Sequence, residues 1–361
     1  MRLQLSARIG AVTARRLLTR FGLPDTIFEA DFAELVQELG PQIARVLKAP
    51  PGAEMQRDIA RTLAWLDVPG NAILTLADPR YPRALLDIPD PPILLYVKGR
   101  IELLQAPAIA VVGSRNATAQ GLVNAEDFSA ELSAAGFTIS SGLALGIDAA
   151  AHRGGLRHVD AATIAVIGTG IDIIYPARNG PLARRIAVEG CIVSEYALGT
   201  PAIASNFPRR NRLISGLSRA VLVIEAAAQS GSLITARVAA DQGRDVFAIP
   251  GSIHSPLAKG CHQLIKQGAK LTESARDVLD ELNIGLPAIR SVSTDNTTLA
   301  SYSDSQHALI NALGFDPVDG DTLAERAGLD AASLGVGLIE LELAGLVEVL
   351  PSGQYRRVHR A

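Results

Sequence analysis

Cysteine, net positive charge and long apolar runs are all scarce in this chain, and each shortage removes a class of protein. Two cysteines in 361 residues, Cys191 and Cys261, exclude a disulfide-stapled secreted scaffold and any four-cysteine zinc site. The opening residues, Met1-Arg2-Leu3-Gln4-Leu5-Ser6-Ala7-Arg8, lack the apolar core of a signal peptide. No uncharged apolar run approaches about 18 residues, the length of a membrane-spanning helix. The expectation is a protein of the reducing cytoplasm with no membrane partner. Positive charge is also short: 34 Lys+Arg stand against 37 Asp+Glu, a formal net charge of −3. That balance argues against a histone-like, generically basic nucleic-acid binder.

Several chemical signatures are missing too. The dinucleotide fingerprint Gly-x-Gly-x-x-Gly, the Walker lysine motif and the Gly-x-Ser-x-Gly elbow of hydrolases are all absent. Cys261 adjoins His262, which is not zinc-ligand spacing, and the six histidines form no cluster in sequence. No cofactor, no metal and no catalytic residue is therefore expected. Asp148 and His152 lie four apart on one helix face and could form an acid/base or metal pair. A place in the first helical turn suits Asp148 better to stabilising the helix or its loop.

What is present is abundant apolar residue, 48%, in a chain two to three times the length of a typical domain. Residues 1–70 read as short helices separated by glycine turns, a SAM-like or helix-hairpin-helix bundle. Ile9-Gly10 opens a segment with Val12, Leu17, Leu18 and Phe21 on one face, ended by Gly22, and Ile27 to Leu39 forms a second that stops at Gly40-Pro41. Ala72 to Leu76 and Ile93 to Val97 look like strands that bridge into the next zone.

Within residues 71–285, apolar runs at Ala108–Val112, Phe137–Ser140, Ala162–Ile167, Ile192–Ser194, Ala220–Ile224 and Asp245–Ile249 alternate with stretches of helical period. Continuous apolar strands with crossover helices predict a doubly wound parallel sheet, an α/β domain of Rossmann-like type. Residues 286–304 are polar and lack periodicity, as a flexible linker does. Residues 305–361 read as three helices and a hairpin closed by Pro351-Ser352-Gly353, the order of a winged helix.

Ligands of open parallel sheets bind beyond the carboxyl ends of the strands. Four glycine loops fall there: Gly113-Ser114-Arg115, Ser141-Gly142 with Gly146, Gly168-Thr169-Gly170, and Ser230-Gly231-Ser232 ahead of a helix. Each single loop is explained by a tight strand-to-helix turn, but the set with Arg115 attached fits a phosphate cradle. The densest positive run, Arg209-Arg210-Asn211-Arg212, follows Phe207-Pro208. Arginine forks suit phosphate, and Phe207 and Tyr175 offer flat faces on which bases stack. Cations at a helix start oppose the macrodipole, so an anionic ligand accounts for them better than the fold does.

These motifs arrive in a recognisable order. Val112-Gly113-Ser114-Arg115, Ser141-Gly142-Leu143-Ala144-Leu145-Gly146-Ile147-Asp148 through His152, Gly168-Thr169-Gly170-Ile171-Asp172, Tyr175-Pro176, Ser194-Glu195, Phe207-Pro208-Arg209-Arg210-Asn211-Arg212, Ser230-Gly231-Ser232 and Ile249-Pro250-Gly251 resemble the bacterial DNA-processing protein A family, DprA or Smf. The resemblance covers the whole α/β zone, and the outer zones are similar to a common form of the family. It implies a non-enzymatic single-stranded DNA binder that protects incoming DNA in natural transformation and loads RecA recombinase. It also implies a homodimer through the Rossmann-like domain. Carried over, Gly113, Ser114, Arg115 and the segment from Phe207 to Arg212 become DNA-binding candidates. One departure is visible: His262 and Gln263 stand where the family usually has an asparagine and a basic residue.

The alternative is a nucleoside-monophosphate phosphoribohydrolase on a similar sheet. Those enzymes show a Pro-Gly-Gly-x-Gly-Thr-x-x-Glu run, and Gln229-Ser230-Gly231-Ser232-Leu233-Ile234-Thr235 has neither its start nor its closing glutamate. In the third winged-helix element, Ala332 to Leu343, Glu340 and Glu342 are present and Lys and Arg are not, which favours a protein contact over duplex reading. Charge is also uneven: residues 305–361 hold eight acidic and four basic side chains, so most of the negative balance belongs to the tail.

Overall fold

Strands form where aliphatic residues run without polar interruption, and their burial shows why. In the computed structural model, which describes residues 1–6, 9–157, 162–282, 304–314, 317–350 and 352–358, every residue of Ala108–Val112 and of Ala220–Val223 is buried. The amino-terminal helices are α1 (Arg2–Leu5), α2 (Ala11–Phe21), α3 (Pro24–Glu29), α4 (Phe32–Leu39), α5 (Pro41–Lys48) and α6 (Ala53–Leu66). Then follow β1 (Asn71–Thr75), β2 (Leu94–Gly99), β3 (Ala108–Val112), α7 (Ala119–Ala134), β4 (Thr138–Ser141), α8 (Ile147–Gly155), β5 (Thr163–Val166), α9 (Gly180–Glu189) and β6 (Cys191–Ser194). The domain closes with α10 (Asn206–Gly216), β7 (Ala220–Val223), α11 (Gly231–Asp241), β8 (Asp245–Ala248), α12 (Lys259–Lys266), β9 (Lys270–Leu271) and α13 (Ala275–Glu281).

Together the strands make one sheet in the order β1-β2-β6-β5-β4-β3-β7-β8-β9. From β6 to β9 all pairings are parallel, with Ala108 opposite Thr138 and Ile109 opposite Ala220. Side chains alternate across it, as the two-residue period requires. Ile109, Val111 and Leu222 join Phe128 and Leu132 of α7 on one face, while Ala110, Val112, Val221 and Val223 meet Leu213 and Ile214 of α10 on the other. The expected doubly wound architecture is present.

Ala72 to Leu76 and Ile93 to Val97 contain the expected strands: β1 and β2 extend the same sheet, antiparallel at its edge, with β2 paired to β6. Two local expectations change. The predicted helix from Ile27 to Leu39 breaks at Ala30-Asp31, both extended, so that Ile27 and Leu35 each reach the bundle core from separate short helices. Val12 is 63% exposed, and Ala14 takes the inward place beside Leu17.

The carboxyl-terminal unit comprises α14 (Asp304–Leu313), α15 (Gly320–Ala327), α16 (Ala331–Leu343) and the antiparallel pair β10 (Val347–Val349) and β11 (Tyr355–Arg357). Leu309, Leu323, Leu334, Leu338, Leu341 and Val347 form its own core, in winged-helix order. The linker expectation falls almost wholly on 283–303, outside the described residues. No helix among the described residues is long and apolar enough to cross a membrane.

Candidate nucleic-acid interface

The strand order reverses beside β3: β4, β5 and β6 lie to one side and β7 and β8 to the other. At such a switch point two loops diverge and leave a crevice at the carboxyl edge. Here the loops after β3, β4, β5 and β7 gather. Ser114 N–H donates to Glu225 O at 2.7 Å, and Ile147 N–H donates to Ser114 O at 3.1 Å, so the first loop is tied to both neighbours.

Residues 142–146 are held from below by buried polar groups. One Asp148 carboxylate oxygen accepts from Gly142 N–H at 3.1 Å and Ala144 N–H at 3.3 Å. His152 accepts from Leu143 N–H through Nε2 at 3.3 Å, while its Nδ1 lies 2.7 Å from Thr163 Oγ1, whose hydroxyl donates to Ile139 O. Asn179 donates to the carbonyls of Leu143 and Ala144. This support holds Leu143 at φ 58°, a conformation that costs a branched residue energy. Gly146, at φ +75°, lies so close to the Ser114 and Arg115 carbonyls that no side chain fits. Burial pushes the His152 pKa down to about 3, with the Arg210 charge adding to the effect, so the ring is neutral. Asp148 and His152 therefore brace a loop, and no group of three or more metal-ligating side chains forms among the described residues.

The arginine run divides by helical phase, because four consecutive positions of a helix cannot face one side. Arg209 is exposed. Arg210 is 3% exposed; its Nη1 donates to Val166 O at 2.7 Å, and the nearby Asp148 carboxylate favours its charge while burial lowers its pKa to about 10. Arg212 points elsewhere, its Nε 2.8 Å from Asp90 and its Nη2 2.5 Å from Glu195. Of the candidate segment from Phe207 to Arg212, Arg210 and Arg212 are thus turned to protein partners, while Arg209 faces solvent. Ser141 is likewise internal, donating to Val111 O at 2.7 Å.

On the solvent side the geometry is different. The exposed Arg115 guanidinium carbon lies 5.9 Å from the Phe207 ring centroid, and Phe207 stands 5.4 Å from Tyr175 with the rings tilted by 40°. Tyr175 is 48% exposed. Two rings and a cation thus share one ledge over the glycine loops. Arg209 and the half-buried Asn211 belong to the same helix as Phe207. Ser230 caps α11 by accepting from Ser232 N–H, and Gly231 beside it is exposed with open space above.

Two site residues escaped the sequence reading. The start of α7 is the natural anion position of a doubly wound fold, and carboxylates occupy it. Glu225 accepts from Thr118 N–H at 3.0 Å and from Thr118 Oγ1 at 2.5 Å, and Glu348 of β10 accepts from Ala119 N–H at 2.9 Å. Glu348 is in turn paired with Arg356, whose Nε lies 2.7 Å away. Glu225 carries a signal in the sequence, an acid one residue past a buried strand; Glu348, 229 positions from its partner, carries none.

Comparison with known proteins adds to this geometry. The DNA recombination-mediator protein A family matches residues 72–283, and the DprA winged helix domain matches residues 293–353. Protein Smf of Escherichia coli (strain K12) is 41% identical over 314 residues, 85% of this chain and 82% of that one. DNA processing protein DprA of Streptococcus pneumoniae is 48% identical over 207 residues, 57% of this chain and 73% of that one. Its solved structure superposes with a TM-score of 0.59 at 39% identity, over 74% of this chain and 97% of that one. DprA from Helicobacter pylori, solved for its single-stranded DNA binding mode, gives a TM-score of 0.53 at 31% identity, over 58% and 95% of the two chains.

Proposed function

The chain belongs to the DNA recombination-mediator protein A (DprA/Smf) family, and from that premise we propose that it is a non-enzymatic single-stranded DNA-binding mediator. In this reading it protects incoming DNA during natural transformation, loads RecA onto it, and acts in the cytoplasm as a homodimer through the Rossmann-like domain. The four-part division at 1–70, 71–285, 286–304 and 305–361 goes with it.

The observation that carries the reading is the ledge of Arg115, Phe207 and Tyr175 above braced glycine loops. Bases stack on the rings, and phosphates meet Arg115, Arg209 and the backbone of Gly113 and Gly231, with Asn211, Ser230 and Ser232 as polar contacts; Ser114 and Gly142, whose N–H groups donate to Glu225 O and Asp148, shape the loops beneath. Arg210, Arg212 and Ser141 serve the site by positioning it. Stacking accepts any base and needs unpaired ones, so single strands are preferred over duplex with little sequence preference.

Titration of labelled single strands against duplex of equal length, at two salt concentrations, tests this. A strong single-strand preference with affinity falling steeply in salt is expected. Equal affinity for both forms would defeat the proposal, and release of free base from AMP by the pure protein would replace it with the phosphoribohydrolase reading.

A further inference from the structure

Helix α16 is apolar on two sides. Leu334, Leu338 and Leu341 fill the winged-helix core, yet Val336, Ile339 and Leu343 are 60%, 59% and 84% exposed. The three exposed residues follow one another at spacings of three and four, a single outer stripe that Ala332 and Gly335 continue toward the helix start. A helix apolar on all sides is normally covered on all sides, and nothing in the described chain covers this one.

Gly335 sharpens the point. A glycine inside a helix lowers its stability relative to alanine. A Cβ added at Gly335 would meet no atom within 4 Å, so packing within the chain gives no reason for its absence. It leaves a flat place on the outer stripe. Beside it opens a groove of about 600 Å³ bordered by Leu309, Leu329, Ala332, Val336, Gly337 and Glu340.

Charge selects the occupant. In a winged helix this element commonly enters the major groove, but α16 has no Lys or Arg, and Glu340 and Glu342 flank its stripe. Glu340 accepts from Gln306 at 2.8 Å at the groove rim and keeps its carboxylate there. A phosphate backbone would be repelled, and so would the equally acidic α16 of a second copy. We propose that the outer face of α16 is a docking surface for a protein partner that presents an amphipathic helix, apolar along one stripe and flanked by Lys or Arg. Gly335 admits the partner backbone closely, Val336, Ile339 and Leu343 take its apolar side chains, and the two glutamates meet its cations.

The probe is a fluorescein-labelled synthetic helix of about 18 residues with leucine along one stripe and lysine elsewhere, titrated by anisotropy against the full chain. A second peptide carries glutamate in place of lysine. The lysine peptide should bind and the glutamate peptide should not. Val336→Asp with Leu343→Asp should weaken binding by at least about tenfold while single-stranded DNA binding is unchanged. Gly335→Leu should raise the melting temperature of the winged helix and still weaken the peptide, an opposition that a purely structural glycine does not produce. Equal binding of both peptides, or binding indifferent to all three positions, overturns the proposal. Self-association abolished by Leu343→Asp would assign the face to a second copy, and duplex binding abolished by it would assign the face to DNA; either result also overturns it.

Discussion

The carboxyl edge of the Rossmann-like sheet and helix α16 of the winged helix are the two places where a fold of this kind would meet nucleic acid, and their surfaces are opposite in chemistry. The first sets the exposed Arg115 over Phe207, whose ring stands beside Tyr175. The second exposes Val336, Ile339 and Leu343 between glutamates. A net charge of −3 describes neither. What matters for a polyanion is the field within a Debye length of the contact, about 8 Å at physiological salt. The edge also differs from the tail in what lies beneath it: Asp148, His152 and Arg210 are buried ionisable groups, which are costly unless hydrogen-bonded.

The largest effect that the comparison predicts therefore comes from beneath the surface. Arg210→Ala leaves Asp148 buried without its cationic neighbour and Val166 O without its donor. Leaving a buried carbonyl unpaired costs about 1 to 3 kcal/mol, and loss of the neighbouring cation adds to it. Urea denaturation of the α/β transition should show a loss of this order, together with loss of single-strand binding. Arg209→Ala, one position away and exposed, should change the unfolding free energy by less than about 0.5 kcal/mol. Equal stability of the two variants would mean that Arg210 does not brace the loop.

Next in size are the exposed contacts. Phe207→Ala should weaken single-strand binding by about 1 to 3 kcal/mol, the worth of one stacked base. Arg115→Ala should lower the salt slope by about 0.7, one phosphate contact on a single strand. Circular dichroism should find both proteins folded. The same measurements on Leu343→Asp, on the opposite kind of surface, should find DNA binding unaltered.

How much of this was legible in the sequence depends on which physical variable each feature needs. Parallel strands are buried on both faces, so they read as unbroken apolar runs, and β3 and β7 lie where those runs do. Phe207, in the first turn of α10, and Tyr175 could be named as stacking candidates from residue type alone; that their rings lie 5.4 Å apart could not. The split of the arginine run was not legible. It depends on the phase of α10 relative to the sheet, and a one-residue rotation exchanges Arg209 with Arg210. The break at Ala30-Asp31 was hidden for a related reason: one helix and two short ones give the same apolar spacing over a dozen residues. Glu348 could not have been found from its neighbours, because its partner is brought to it only by the docking of two domains.

A smaller effect separates the braced edge from the tail by pH. His152 in the folded protein has its pKa lowered to about 3, chiefly by burial, against an ordinary value of 6.5. Between those values the unfolded chain binds a proton that the folded chain does not. His152 therefore makes stability fall as pH drops below about 6.5, by up to about 1.4 kcal/mol per unit. Asp148, whose carboxyl is pushed upward by burial, works in the opposite sense. Comparison with His152→Gln isolates the histidine. The stability advantage of the native chain over this variant should shrink from pH 7 to pH 5, and a constant difference would mean that His152 is not held neutral.

The smallest effect should come from removing the winged helix. Glu348 sits on Ala119 N–H, beside the loop that carries Arg115, so a chain ending at residue 303 loses a carboxylate next to the site. Glu225 remains at the same helix start, accepting from Thr118, so the vacated N–H does not become an unopposed anion position. The shorter chain also sheds the acidic tail, which favours a polyanion, while salt screens charges more than about 8 Å away. These terms leave single-strand affinity within about twofold of the full chain at 0.15 M salt, with a larger gain as salt is lowered. A tenfold loss would place DNA on the winged helix and erase the contrast between the two surfaces. A tenfold gain at physiological salt would mean that Glu348 holds the loop closed against DNA.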